Sequence, residues 1–127
     1  MNNVALANGG AYIGSPKDIE VANAIIKAAC DYYEIDKGEL MGQKCTSVSD
    51  IRHMCLYLID SNTSLKREKI GKIFNQSRFP VIYAVDKIDT HKRIYIRTLH
   101  ALNDIVNLAN TFEKKYSWHI PRISTTH

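Results

Sequence analysis

Apolar residues recur at helical spacing along most of this chain, and no segment alternates apolar and polar residues in the way that predicts a strand. The first apolar stripe consists of Ile19, Ala22, Ile25, Ile26, Ala29 and Tyr33. The pattern weakens from Asp89 to Tyr95, and a long closing helix is then predicted by Leu99, Leu102, Ile105, Val106, Ala109, Phe112 and Tyr116. The pattern as a whole predicts an all-α protein, a compact bundle of five to six helices.

Capping residues mark the starts of two predicted helices. Ser15 can accept a hydrogen bond from the first turn, Pro16 suits the first helical position, and Asp18 favours the positive end of the helix dipole. Asp36 and Glu39 have the spacing of a reciprocal capping pair, which predicts a short helix of a single turn.

A third helix is predicted after residues 47–49. Arg52 and Asp60 fall off its buried face, which would consist of Ile51, Met54, Cys55, Leu58 and Ile59. The next helix starts either with Ser64 as its cap or slightly later. In both cases Leu65 is expected to pack onto Ile70.

Residues 70–88 have the pattern of two short amphipathic helices joined by a tight polar turn at residues 75–77. The apolar positions on the two sides of the turn are Ile70, Ile73 and Phe74, and then Val81, Ala84, Val85 and Ile88. Gly71 lacks a side chain, so a neighbouring helix can approach closely. The solvent face of the second helix would carry Tyr83 and Lys87, which can reach phosphates or base edges in a major groove. Spacing alone favours a helix-turn-helix and a plain helical hairpin with a solvated basic edge equally.

Pro80 is expected to fix the start of the second helix of this motif. Its backbone angle suits a first helical turn, Ser77 or Arg78 can precede it, and Phe79 would be held out of the helical region. Phe79 could touch a thymine methyl or cover the core, and the core is the favoured prediction. For Arg78 we favour contact with DNA, either at a guanine edge or at a phosphate.

Charge is unevenly distributed along the chain, whose formal net charge is +4. Residues 65–97 hold nine Lys or Arg and three acidic residues, a local charge of +6, whereas residues 16–64 hold five and eight, a local charge of −3. A positive field around the helix-turn-helix is expected of a phosphate-binding surface, and a solvated charged face is the alternative.

Composition and motifs limit the classes of function. The 127 residues, 45% of them hydrophobic, suffice for one core, and three cysteines in unrelated settings predict a reducing compartment. His53 and Cys55 would point apart on a helix, so we expect no metal site, and we expect no cofactor. Neither a membrane span nor a secretory signal is predicted, which favours a cytoplasmic protein without a membrane partner. Scattered histidines and the lack of a Walker motif or a carboxylate pair predict that the chain is not an enzyme.

Four segments in order carry a resemblance to a known family. They are Tyr32-Tyr33-Glu34-Ile35; Gly38-Glu39-Leu40-Met41-Gly42; the Ser47 to Leu58 helix start with Arg52-His53-Met54; and Ile70-Gly71-Lys72-Ile73-Phe74 followed by Val81 and Ala84 to Ile88. Over residues 16–110 the chain resembles the C-terminal DNA-binding domain of the bacterial chromosomal replication initiator DnaA. The resemblance implies a Trp repressor-like fold, double-stranded DNA as partner, a second helix of the motif in the major groove, and an arginine in the minor groove that corresponds to Arg52.

The chain departs from that family where the family reads DNA. Residues 77–80 replace the family's Asp-His-Thr/Ser-Thr run, Arg78 stands at the position of the base-reading histidine, and the basic loop is thinned to residues 43–46 with a single positive charge. We therefore expect a target other than the initiator box. The predicted DNA-binding residues are Lys44, Arg52, Lys66, Arg67, Lys69, Lys72, Gln76, Ser77, Arg78, Phe79, Tyr83 and Lys87.

The sequence predicts three segments: a flexible N-terminal arm at 1–14, a helical DNA-binding domain at 15–116 and a C-terminal tail at 117–127. Trp118 in the tail could pack on the domain or dock a protein partner, and packing is favoured. The leading hypothesis is a stand-alone, initiator-like DNA-binding protein in replication control or transcription regulation. The alternative is a protein-interaction module that kept the scaffold and lost specific DNA reading.

Overall fold

Six α-helices form the described part of the chain, residues 14–42 and 45–125, in a computed structural model. They are α1 (Pro16–Tyr33), α2 (Lys37–Gly42), α3 (Thr46–Asn62), α4 (Arg67–Ile73), α5 (Arg78–Ile94) and α6 (Ile96–Ala109). These residues contain no strand, and the all-α prediction is confirmed. None of the described helices is long and apolar enough to span a bilayer. The predicted arm, apart from Gly14, and the predicted site residue Lys44 lie outside the described residues.

Helix α3 is the centre of the bundle. It packs against α1, α2, α4 and α5, while α6 packs against α1 and α5. Its predicted face is buried, and Leu56 and Tyr57 are buried as well, because neighbours cover this helix on more than one side. Large side chains that are fully buried come from all six helices and the C-terminal segment, and they include Ile25, Leu40, Leu58, Ile70, Phe74, Val81, Ile105 and Ile120.

The predicted helix starts agree with the structure at α1 and α2. The Ser15 hydroxyl accepts a hydrogen bond from the Asp18 amide at 3.1 Å, and Pro16 is the first helical residue. At α2, the Glu39 amide donates to the Asp36 carboxylate at 2.7 Å, and the Asp36 amide donates to the Glu39 carboxylate at 3.1 Å. The reciprocal capping pair is therefore confirmed.

Helices α3 and α4 begin at positions that capping residues alone did not define. Helix α3 begins at Thr46 with Cys45 as its N-cap, before the predicted Ser47–Ser49 segment. Helix α4 takes the later of the two predicted starts, with Lys66 as its N-cap. Leu65 then precedes the cap and Ile70 is the fourth helical residue, and both are buried, as a hydrophobic staple requires.

The prediction of one long closing helix to Tyr116 is wrong. Helix α5 continues through the weak stretch to Ile94, and α6 ends at Ala109. The Asn110 side chain donates to the Ile120 carbonyl oxygen at 2.9 Å and accepts from the Ile120 amide at 3.0 Å. These bonds turn the chain back toward the bundle. Phe112 packs on the core from irregular structure, whereas Tyr116 is exposed.

Residues 117–125 pack on the helices. This agrees with the favoured prediction that Trp118 packs on the domain. The Trp118 indole donates to the Glu20 carboxylate at 2.7 Å, and Ile120 is buried. Asn103 of α6 exchanges two hydrogen bonds with the backbone of Ile123, at 3.1 and 2.8 Å. The C-terminal segment thus covers α1 and α6 and satisfies their polar side chains.

Acid is expected to loosen this C-terminal segment. Backbone hydrogen bonds from Lys115 and Tyr116 and the indole bond from Trp118 hold the pKa of Glu20 below its usual value of 4.5. A depressed folded-state pKa contributes stability above the unfolded-state pKa, and that contribution is lost as the pH falls through the folded-state pKa. We expect the emission of Trp118, the single tryptophan, to shift to the red below about pH 4.5. Glu20→Gln should show much of that red shift already at neutral pH. If the pH midpoint of the change in Trp118 emission is the same in Glu20→Gln and in the wild type, Glu20 is not the group that titrates.

Candidate nucleic-acid interface

A tight turn joins α4 to α5 at the place that the sequence predicts. The amides of Phe74 and Gln76 both donate to the Gly71 carbonyl oxygen, at 2.9 and 2.8 Å. Asn75 adopts a positive φ of 57°, which Asn tolerates better than most residues. The chain therefore reverses within residues 74–77.

Gly71 permits this turn to close. A Cβ at this position would overlap the Ser77 carbonyl oxygen and would lie 2.8 Å from the Gln76 carbonyl oxygen. The expected close approach is confirmed, although the approaching group is the backbone of the turn rather than a neighbouring helix. Any larger residue must displace the start of α5.

The start of α5 differs from the prediction at Phe79. Ser77 is the N-cap, Arg78 is the first helical residue and Phe79 the second, so Phe79 is not held out of the helix. Pro80 is the third helical residue. An amide hydrogen at that position would have no acceptor within the helix, so proline, which lacks one, loses no helical hydrogen bond there. The preference of a residue before proline for extended backbone is outweighed here by helix formation.

The exposed face of the first two turns of α5 carries Arg78, Phe79 and Tyr83. The favoured prediction that Phe79 covers the core is wrong, because 65% of its surface is exposed. Tyr83 is 60% exposed, as predicted, while Val81 and Ala84 face the core. The Arg78 guanidinium lies 5.2 Å from the centre of the Phe79 ring. This helix therefore presents a cationic and aromatic surface.

Basic side chains on α4 adjoin that surface in the chain. We define the basic edge as Lys66, Lys69, Lys72 and Arg78. Lys66, the N-cap of α4, and Lys69 and Lys72 within the helix are spaced three positions apart, so each lies beside the next along α4. Arg67 instead pairs with Asp60 of α3 at 3.1 Å.

The sequence profile of the bacterial DnaA protein helix-turn-helix matches residues 22–88, more than half of the 127 residues. The chain belongs to this family. A search of curated proteins gave no match. Helices α4 and α5 are thus the two helices of a DnaA helix-turn-helix, a DNA-binding module, and α6 with the C-terminal segment lies outside the matched residues.

Arg52 is placed differently from the prediction. It is 7% exposed rather than off the buried face of α3. Its Nε donates to the Leu40 carbonyl oxygen at 2.7 Å, and Nη1 lies 3.5 Å from the Ser49 hydroxyl. A long side chain can bury its stem and satisfy its head group locally, which periodicity does not reveal. Within this DnaA helix-turn-helix domain, Arg52 joins α2 to α3.

Lys87 also departs from the predicted solvent face of α5. Its Nζ lies 2.8 Å from the Asp50 carboxylate and 3.0 Å from Nδ1 of His53, both on α3. Burial and the nearby Lys87 charge lower the pKa of His53, so the neutral ring can accept this hydrogen bond. The His53 ring also meets the Tyr83 ring edge to face, with centroids 5.5 Å apart. Sequence reasoning missed the contacts that Asp50 and His53 make with α5, because they join residues thirty or more positions apart.

The local charge of +6 is partly neutralised in the fold. Lys92 is buried, donates to the Ser124 carbonyl oxygen at 2.9 Å, and lies 3.8 Å from Asp89. Arg93 pairs with Asp89 at 3.1 Å. Within the described residues, Lys69, Lys72 and Arg78 of the basic edge form no ion pair, so no salt bridge neutralises their charge.

Gln76 and Ser77 lie within the turn and have distinct environments. The Oε1 atom of Gln76 is buried and accepts no hydrogen bond from the described residues, whereas Ser77 is exposed and its hydroxyl makes no capping bond.

The described part of the chain gathers no group of three His, Cys, Asp or Glu side chains that could hold a metal ion. Its cysteines are free thiols, and burial raises the pKa of Cys55.

Proposed function

We propose that this protein binds double-stranded DNA through α4 and α5 and acts in the control of replication or transcription. The observation that carries the proposal is the basic edge beside the exposed Arg78, Phe79 and Tyr83 of a DnaA helix-turn-helix. Helix α5 would enter the major groove, and the lysines of α4 would neutralise phosphates. The phosphate contacts set the position, and the side chains at the start of α5 set the sequence preference.

We further propose that the target differs from the initiator box. Arg78 has a charged donor fork suited to a guanine edge, which the family's histidine lacks. Tyr83 offers a hydroxyl five positions further along α5, one turn beyond Phe79. These two side chains are exposed where they can reach bases, which supports them as the main specificity residues.

A selection of bound sites from random duplexes tests the altered specificity. We expect the wild type to enrich a sequence unlike the initiator box, and Arg78→Ala to relax the preference at one or two adjacent base pairs. Arg97→Ala removes an equal charge at the start of α6 and should leave the enriched sequence unchanged. Recovery of the initiator box, or a preference that survives Arg78→Ala, would refute the assignment.

Salt dependence tests the lysines of the basic edge. Each phosphate contact that a protein neutralises adds about 0.9 to the slope of log affinity against log salt. Replacement of Lys69 and Lys72 by alanine should therefore reduce the slope by roughly 1–2. Lys17→Ala with Lys37→Ala removes the same charge from exposed positions on α1 and α2 and serves as the control. If both double variants change the slope equally, Lys69 and Lys72 do not contact phosphate.

An interaction module is the second candidate, and one observation favours it. Three consecutive apolar residues at the junction of α5 and α6, Ile94, Tyr95 and Ile96, are 63%, 53% and 61% exposed. Contiguous exposed apolar patches often mark the sites where proteins contact one another. Tyr116, just before the C-terminal segment, is 42% exposed and offers a further aromatic side chain to a protein partner. DNA binding that is absent at low salt would favour this candidate.

A further inference from the structure

Helix α5 presents aromatic rings where a duplex-reading helix usually presents hydrogen-bonding side chains. Phe79 and Tyr83 are four positions apart, so they lie next to each other on one face of α5. Most of each side chain is exposed, and Phe79 has no group that can form a hydrogen bond with a base edge. Exposed apolar surface of this kind marks interaction sites, and it favours a partner with apolar surface of its own.

Positive charge lies beside the Phe79 ring. The Arg78 guanidinium lies over the Phe79 ring at 5.2 Å, and Lys72 is exposed on the preceding helix of the motif. One turn beyond Tyr83, Asp86 occupies the next exposed position of α5 and would repel phosphates. The surface that suits nucleic acid is therefore confined to the first two turns of α5.

The Tyr83 ring is oriented by the bundle before any ligand binds. The His53 ring meets it edge to face with an interplanar angle of 74°, and Lys87 and Asp50 hold His53 in turn. A ring that is fixed in advance loses less conformational entropy when it stacks on a ligand. One face of Tyr83 is thus available as a rigid platform.

We propose that Phe79 and Tyr83 stack on unpaired bases, so that this surface prefers DNA that contains unpaired bases to a fully paired duplex. Aromatic rings combined with basic side chains are the usual means of binding unstacked bases, because every base has a π face. In a paired duplex those faces are covered by neighbouring bases, and exposing them costs free energy. The inference rests on the proposed function, because it requires α5 to meet DNA.

A comparison of two duplexes with the same length and backbone tests the inference. One duplex is fully paired, and the other differs only by two adjacent mismatches at its centre. Because both carry the same phosphates, the electrostatic contribution is matched. We expect roughly tenfold or greater preference for the mismatched duplex, measured by fluorescence polarisation. Equal affinity for the two would overturn the inference and leave the proposed function standing, whereas no binding to either would overturn both.

Variants assign the preference to the two rings. Phe79→Leu keeps apolar volume without a π face and should reduce the preference several-fold. Tyr83→Phe keeps the ring and should retain it. Tyr95→Ala removes an exposed ring beyond the far end of α5 and is the control. A preference that survives Phe79→Leu combined with Tyr83→Leu would overturn the inference. A second outcome would also overturn it. If Phe79→Leu weakens binding to the paired duplex, and that loss of affinity disappears when uracil replaces thymine, the Phe79 ring contacts a thymine methyl rather than an unpaired base.

Discussion

Gly71→Ala is expected to destabilise the domain by roughly 1–3 kcal/mol and to weaken DNA binding further. The added Cβ would overlap the Ser77 carbonyl oxygen, and backbone cannot rotate away as a flexible side chain can. The turn must open, which moves Ser77 and the first turn of α5. Chemical denaturation gives the loss of stability, and a duplex titration of the folded variant gives the loss of affinity.

Gly42→Ala provides the matched control for this substitution. Gly42 is also helical, but among the described residues a Cβ there would meet no atom within 4 Å. We expect it to be neutral or slightly stabilising, because alanine has the higher helix propensity. If both variants unfold at the same denaturant concentration, the close contact at Gly71 has no energetic importance.

Arg52→Ala is expected to lower the free energy of unfolding by about 1–3 kcal/mol. The substitution removes the donor to the Leu40 carbonyl oxygen and leaves that buried acceptor unsatisfied. If Arg52 also enters the minor groove, as the resemblance implies, the variant should in addition lose DNA affinity on the order of 1–3 kcal/mol. Denaturation and duplex titration measure the two effects separately.

The Arg52 prediction also has a control of equal charge. Arg97→Ala removes an exposed arginine at the start of α6 and should change stability little. If Arg52→Ala is as stable as Arg97→Ala, the bond to Leu40 contributes nothing. If Arg52→Ala is less stable but binds DNA as tightly as the wild type under folding conditions, Arg52 is structural and does not contact DNA.

Local interactions made much of the fold predictable. The Ser15 cap, the Asp36 and Glu39 pair, and the turn after Phe74 each involve residues within a few positions of one another. The apolar spacing identified the buried faces of α1, α3 and α5 for the same reason, since helix periodicity is a local property. The family profile then confirmed the helix-turn-helix that spacing alone left open.

The errors arose where distant residues decide the outcome. Lys87 turns toward α3 because Asp50 and His53 lie there, and Lys92 is buried because the C-terminal segment returns to accept its hydrogen bond. Phe79 is exposed because α5 begins one residue before it and directs it away from α3. None of these contacts is encoded in the spacing of apolar residues, so charge counting overestimated the exposed positive surface.

Fluorescence polarisation of a labelled random duplex, titrated with the full chain at a low and a moderate salt concentration, tests the central claim most directly. Binding through the basic edge predicts saturable association at low salt and an affinity that falls steeply as salt increases. Absence of binding at low salt, or an affinity independent of salt, would contradict the claim that α4 and α5 bind DNA.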